Sequence, residues 1–304
     1  MIKDIRKRFI LFNVLVTGGI IAIIGLSIFV GSPRSELPAH RYVTALSLAV
    51  VSVYVGSLIL SKAAIRPIQA AWQKQLDFTA DASHELRTPL AVIQTNFELV
   101  MDSPKETVES QMKWLKNIEA ENKRMAKLVD DLLTLSRADT DRQTLEKETF
   151  MLDEAVAEAA APFEPIASEK NIELAISADG RIAFYGDRRR IKQLVVILLD
   201  NALNYTDSGA VAVALSQEEK GVILTVSDTG HGIEIEHISK IFDRFYRVEK
   251  TRNLHRDGSG LGLSIAKWIV EEHSGAICVT STIGKETILM VRLPRLPISP
   301  LRIG

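Results

Sequence analysis

Cysteine is almost missing from this chain. Cys278 stands alone among 304 residues, which excludes an internal disulfide framework and suits a reducing compartment for that part of the chain. Its neighbours alternate in the manner of a strand, so the expectation is a buried structural thiol. A charge imbalance is missing too. Lys+Arg 37 against Asp+Glu 38 leaves a formal net charge of -1. No global basic field favours nucleic acid, and none is expected as a partner. Two motif absences narrow the chemistry further. The chain has no G-x-x-x-x-G-K-[ST] phosphate loop, and no set of kinase Gly-loop, H-R-D and D-F-G.

Charge is also absent locally, from two long stretches. The run "FILFNVLVTGGIIAIIGLSIFV", residues 9–30, and the run "YVTALSLAVVSVYVGSLILS", residues 42–61, carry no charged residue. Each is long enough as a helix to cross about 30 Å of hydrocarbon. A cleaved signal peptide competes for the first run, but such apolar regions are usually shorter and no clear A-x-A site follows. Lys3, Arg6, Lys7 and Arg8 precede the first run, while Lys62, Arg66 and Lys74 follow the second. The segment between holds Arg34 and Arg41 against Glu36. Both ends are therefore expected on the cytoplasmic side, with a multi-pass anchor in the cell membrane and everything after Lys62 in the cytosol.

What is present beyond Ala63 has helical period. Leu76, Ser83, Leu86, Leu90, Ile93, Phe97 and Val100 form one stripe, and Leu115, Ile118, Asn122, Met125, Val129, Leu132 and Ser136 a second. Between them "MDSPKET" offers Ser103 as a cap and Pro104 for a first turn. Two helices with one apolar seam each cannot cover both in water, so the pattern predicts a hairpin pairing with a copy of itself as a four-helix bundle.

On the first of these helices lies "SHELRTPL". His84 adjoins the stripe position Ser83 but is rotated about 100° from it, so its ring can face solvent. Thr88 shares its face one turn on, with Glu85 adjacent. Pro89 removes the N–H that would bond the Glu85 carbonyl, which predicts a loosened helix there. A neutral imidazole nitrogen can act as nucleophile while a neighbouring carboxylate takes the proton from the other nitrogen. A plain surface His-Glu pair with an accidental kink explains the same residues. No second His or Cys sits at ligand spacing, which argues against a metal here.

After "RADTDRQTLEKE", residues 137–148, helix and strand patterns alternate and predict an α+β domain over 149–296. "LLDNALNYT" reads as a helix with Asp200, Asn201 and Asn204 on one side. "VSDTGHGI" is a strand entering a glycine turn, and "DGSGLGLSIAKWIVEEHSG" a glycine loop opening a helix. Gly258, Gly260 and Gly262 permit close approach to phosphates, and the helix that follows presents free N–H groups. Asn201 is a neutral oxygen ligand suited to Mg²⁺. Asp228 can accept from the exocyclic amine of adenine, and Arg247 and Arg252 can reach phosphate oxygens.

Taken in order, these segments resemble those of bacterial sensor histidine kinases of two-component systems, over residues from about 66 to 296. "SHELRTPL" is similar to the phosphoacceptor box, and "DNALNYT" to the asparagine box. "DTGHGI", "IFDRFYRV" and "GSGLGLSIAKWIVEEHSG" are similar to the first glycine, aromatic and second glycine boxes. The resemblance implies a dimerisation bundle joined to an ATP-binding α/β sandwich of the gyrase and Hsp90 type. His84 would receive the γ-phosphoryl group of ATP, Glu85 accept the proton, and Thr88 orient water for dephosphorylating a partner response regulator. Asn201 would hold Mg²⁺ and Asp228 the adenine amine. Gly230 and Gly232 would form the turn beneath the base, Arg247 and Arg252 the lid contacts, and Gly258, Gly260 and Gly262 the lid's end. Asn204, Tyr205, Ile233, Leu261, Leu263 and Thr287 would complete the nucleotide site.

The implied organisation is a cytoplasmic tail (1–8), a span (9–30), a short outer loop (31–41), a second span (42–61) and a signalling connector (62–77). The dimerisation and phosphotransfer domain (78–140), a linker (141–148), the ATP-binding domain (149–296) and a tail (297–304) follow. The expected partners are a cognate response regulator, a second copy, membrane lipid and a membrane protein supplying the signal. Three positions depart from the family pattern. Ile197 replaces a second Asn, Asn204 a Lys, and Glu286 a glycine in "GKET". A kinase-weak, phosphatase-biased or scaffold-like protein is the alternative these departures raise.

Overall fold

Helix α1 (Ala39–Met101) and helix α2 (Val108–Ala138) are the two longest elements. They belong to a computed structural model that describes residues 17–19, 21, 25, 39–138, 145–219, 221–248 and 258–294, with most side chains between 39 and 67 outside the description. The chain divides into two units, Met1–Ala80 and Asp81–Gly304.

In the first unit, most of the run 9–30 lies outside the described residues, as does the loop after it. The run 42–61 is helical backbone within α1. Most of its side chains are not described, and among the described residues no helix is long and apolar enough to cross a membrane.

The second unit opens with the helical hairpin. The connection is tighter in its capping than the sequence suggested. Ser103 does not cap α2; Thr107 Oγ1 accepts from the Ser110 N–H at 3.3 Å, because α2 starts only at Val108. Ser103 instead supplies a carbonyl to the Gln111 amide at 2.8 Å, which closes the turn. Asn117 donates to Asn96 across the hairpin at 3.2 Å. The aliphatic side chains buried within it are Leu128 and Leu135, neither on the expected stripe, beside the buried Asn96 and Gln111. The stripe itself remains open: Leu90 is 56% exposed and Phe97 52%, with Leu115 and Val129 also exposed. A contiguous apolar face of this kind on two packed helices is left for a further surface. Pro89 is buried and α1 continues through it, so the loosening expected there is no break.

A five-stranded sheet in the order β2-β4-β5-β7-β6 follows. Its strands are β2 (Ile172–Ala178), β4 (Gly209–Glu218), β5 (Gly221–Asp228), β6 (Ala276–Thr282) and β7 (Glu286–Pro294). β2 runs parallel to β4 and the other neighbours are antiparallel. A separate ribbon pairs β1 (Glu148–Met151) with β3 (Ala183–Gly186). One sheet face buries alternate residues, Val211, Val213, Leu215, Leu289, Val291 and Leu293. Against it lie α5 (Arg188–Asn204) and α7 (Gly262–Glu272), after α3 (Leu152–Ala160), α4 (Glu164–Glu169) and the short α6 (Ile235–Ile238) in the numbering of chain order. The helices contribute Leu194, Leu198, Ile265 and Ile269, all fully buried. The α+β expectation holds.

Two details tie the layer together. Asp187 caps α5 by accepting the Arg190 N–H at 3.0 Å. The fully buried His273, just past α7, accepts the Asp187 N–H at Nε2 (3.0 Å), leaving Nδ1 to donate to the Ile269 carbonyl at 2.8 Å. Burial lowers the pKa of this ring, which keeps it neutral. Cys278 is exposed, not buried. The strand alternates as expected, but β6 is the sheet edge and Cys278 lies on its outward face.

Candidate nucleotide and phosphoacceptor sites

The end of β5 fixes the nucleotide cradle. Asp228 is only 7% exposed, and its Oδ1 accepts the Gly230 N–H at 3.0 Å. Burial raises the Asp228 pKa, opposed by that backbone bond and by His231. A Cβ at Gly230 would collide with the Tyr205 carbonyl oxygen and approach Asp228, so only glycine lets the chain turn this close to α5's end. Gly232 has φ +73 and sits against the Thr282 backbone. His231 N–H donates to the Tyr205 carbonyl at 3.1 Å, linking the turn to the asparagine segment.

Opposite Asp228 in the β5–β7 register stands Thr287, also buried. Its hydroxyl meets Ser281 Oγ at 2.9 Å, and Ser281 accepts the Ile233 N–H at 2.8 Å. The structure thus joins Asp228, Gly230, Gly232, Ile233, Thr287 and Tyr205 into one constellation. Ser281 belongs to it and carries no sequence signal, because only the β6–β7 pairing brings it there. His231 and Asp207, 2.8 Å apart at the rim, were likewise missed.

Asn201 lies on α5 in the turn before Tyr205. Its amide nitrogen donates to the Ile197 carbonyl at 3.0 Å, which leaves the acceptor oxygen for a cation. Asn204 donates to Asp200 at 3.2 Å. A Cβ on Gly262 would lie 3.3 Å from Ile197 and 4.0 Å from the Asn201 amide nitrogen, so the first turn of α7 passes directly over this face of α5. Gly260, at φ +72, accepts the Phe245 N–H at 2.9 Å and fastens the aromatic segment to the loop. Leu261 is fully buried beneath it, Leu263 is half-buried, and Gly258 stands open. Arg247 is half-buried, whereas Arg252 lies outside the described residues. Glycine cradles, a buried adenine-type acceptor and a neutral amide oxygen fit a Mg²⁺-nucleotide.

His84 is exposed on α1, with Glu85 half-buried beside it. Thr88 Oγ1 donates to the His84 carbonyl at 3.4 Å. Among the described residues no hydrogen bond or ion pair joins His84 or Glu85 to the nucleotide constellation. The His84–Glu85 pair and the Asp228 cradle belong to one unit.

Comparisons with known proteins match two stretches of the chain. Residues 74–141 match the family described as His Kinase A (phospho-acceptor) domain, and residues 186–297 match Histidine kinase-, DNA gyrase B-, and HSP90-like ATPase. The chain is 34% identical over 249 residues to the sensor histidine kinase RppB of Synechocystis, covering 81% of this chain and 55% of that protein. The chain therefore spans about half the length of that relative. A crystal structure of histidine kinase ThkA in complex with response regulator protein TrrA is similar at TM-score 0.60 and 26% identity, covering 75% of this chain and 64% of that one. A crystal structure of full-length ShkA in complex with AMPPNP is similar at TM-score 0.56 and 26% identity, over 74% and 47% of the two chains.

Proposed function

We propose that this chain, which carries a histidine kinase phospho-acceptor domain over 74–141 and a histidine kinase-, gyrase B- and HSP90-like ATPase domain over 186–297, is a sensor histidine kinase of two-component signalling. One observation carries the reading. A solvent-facing His84 beside Glu85 shares a folded unit with a buried Asp228–Gly230 cradle built to hold a nucleotide.

Asp228 accepts the adenine amine, and the Gly230–Gly232 turn lies under the base. Gly258, Gly260 and the N-terminal turn of α7 receive the phosphates, with Arg247 and Arg252 as lid contacts. The Asn201 oxygen would hold Mg²⁺, which when bound would supply charge neutralisation to the phosphates. A ring nitrogen of His84 attacks the γ-phosphorus as the bond to the ADP oxygen breaks, and Glu85 takes the proton from the other ring nitrogen. The phosphoryl group then passes to an aspartate of a response regulator. Thr88 holds water on the same face for the reverse, dephosphorylating duty. The open stripe of Leu90, Phe97, Leu115 and Val129 is covered by a second copy. The runs 9–30 and 42–61 anchor the chain in the cell membrane with both ends in the cytoplasm, and the signal enters through lipid or a membrane protein.

Ile197 favours a second reading, a kinase-weak and phosphatase-biased form. It sets an apolar side chain against Gly262, one turn from Asn201. One assay tests both. Incubation with γ-labelled ATP should give an alkali-stable, acid-labile label, lost in His84→Gln with nucleotide binding intact. Full labelling of that variant overturns His84 as acceptor. No label on the wild-type chain, with rapid decay of phospho-regulator, establishes the second reading instead.

A further inference from the structure

Ser281, Thr287 and Asp228 stand in one row across three neighbouring strands. Ser281 on β6 is the register partner of Thr287 on β7, and Thr287 is the partner of Asp228 on β5. Directly opposed residues of antiparallel strands put their side chains on one face, with Cβ atoms about 4.5–5.5 Å apart. This face is the buried one, since Thr287 falls in step with Leu289 and Val291. Asp228 and Thr287 are both buried, so a group that meets them is held away from water.

Counting donors and acceptors assigns the hydrogens along the row. The Ser281 hydroxyl has one hydrogen and two lone pairs. Its oxygen accepts the Ile233 N–H at 2.8 Å, and its hydrogen goes to the Glu286 carbonyl at 3.0 Å, which can only accept. The remaining lone pair meets the Thr287 hydroxyl at 2.9 Å, so Thr287 donates there. That bond uses the one hydrogen the Thr287 hydroxyl has. Toward Asp228, Thr287 then presents lone pairs alone. The ionised Asp228 accepts the Gly230 N–H at Oδ1 (3.0 Å), and its Oδ2 is likewise an acceptor.

We infer that Ser281 is a specificity-determining positioning residue: by taking the Thr287 hydrogen it fixes that hydroxyl as an acceptor beside Asp228, so the cradle favours a 6-amino purine over a 6-oxo purine. The inference rests on the proposed nucleotide reading of the Asp228 cradle. Adenine meets the two acceptors with an amine that carries two hydrogens. Hypoxanthine has a carbonyl at the same ring position, which sets a further acceptor against them and finds no donor. Without Ser281 the Thr287 hydroxyl turns and donates to that carbonyl, so the exclusion weakens.

The test titrates the full chain by calorimetry with Mg-ADP and with Mg-IDP, the inosine diphosphate, at fixed ionic strength. The wild type should bind ADP at least about a hundredfold more tightly. Ser281→Ala should cut that ratio about tenfold, the discrimination carried by one hydrogen bond. It also strips the Ile233 N–H of its acceptor, but that cost falls on both nucleotides alike and leaves the ratio. Ser281→Thr, which keeps the hydroxyl, should restore the ratio. In a Thr287→Val background, Ser281→Ala should change the ratio no further, because no Thr287 hydroxyl remains to be turned. A wild-type ratio in Ser281→Ala, while Asp228→Asn lowers it, overturns the role of Ser281 alone. A fall that persists in the Thr287→Val background does the same, by marking Ser281 as structural. No binding, or equal binding of the two nucleotides, by the wild type overturns the adenine reading of the cradle and this inference with it.

Discussion

At the scale of single residues, the buried Asp228 and the half-buried Asp131 both answer to desolvation. Asp228 carries the raised pKa of a desolvated acid, so its ionised form costs stability when the cradle is empty. Asp228→Asn keeps an oxygen for the Gly230 N–H and removes that cost. Its thermal midpoint should stay level or rise, while ATP affinity falls about 10–100-fold through loss of a charged acceptor. Calorimetric titration beside a melting curve checks both; a variant that melts earlier yet binds ATP normally would remove Asp228 from the site. Asp131, on α2, has no proposed ligand. Burial lifts its pKa to about 6, with Lys127 opposing and Asp130 and Asp200 assisting. The folded chain therefore holds this proton more tightly than the unfolded chain. The resulting stabilisation is complete below about pH 4 and is lost as pH rises through about 6. Asp131→Asn should raise the melting point by about 2–4 °C near neutral pH, with the gain vanishing near pH 4. A gain independent of pH would show that the carboxyl's charge is not its cause.

At the scale of elements, the proposed function gives the histidine helix two duties on different side chains. In that proposal Glu85 would serve proton removal, and Thr88, whose hydroxyl rests on the His84 carbonyl at 3.4 Å, would turn toward water. Glu85→Gln should cut autophosphorylation about a hundredfold, the scale of general-base loss. Thr88→Ala should keep labelling within a few-fold and slow the decay of phospho-regulator. Comparable loss of labelling in both variants would end the division of labour. The helix itself was legible because its signal is local: a stripe of period 3.6, with His84 and Thr88 one turn apart. The asparagine helix and the Asp228 turn were legible for the same reason, since each box lies within a few consecutive residues. What escaped depends on distant chain. Thr107 rather than Ser103 caps α2 because the turn is drawn in by Gln111 reaching back to Val100 and Ser103. Ser281 joins the cradle only through strand pairing, and the face of Cys278 is set by β6 being the edge. Leu128 and Leu135 close the hairpin where the stripe stays open, because which flank of a helix meets its partner is decided by packing, not by period.

At the scale of the whole chain, the proposal requires ATP, His84 and the response regulator to share one compartment, and the charge pattern around the two apolar runs is what argues for it. Four basic residues lie before residue 9, and Lys62, Arg66 and Lys74 follow residue 61, whereas the intervening segment has two basic residues and one acidic. Retaining positive charge on the cytoplasmic side orients both runs together, since a single hairpin in the membrane has only two ways to insert. Reporter fusions at Lys62 and at Arg34 read the two sides directly. Alkaline phosphatase, which needs an oxidising exterior, should be active at Arg34 and silent at Lys62, and a cytoplasmic fluorescent reporter should show the reverse. Neutralising Lys3, Arg6, Lys7 and Arg8 together should weaken this bias and give mixed signals at both positions. Phosphatase activity at Lys62 in the unaltered chain would put His84 outside, beyond reach of ATP, and would overturn the membrane arrangement and with it the signalling role built on it.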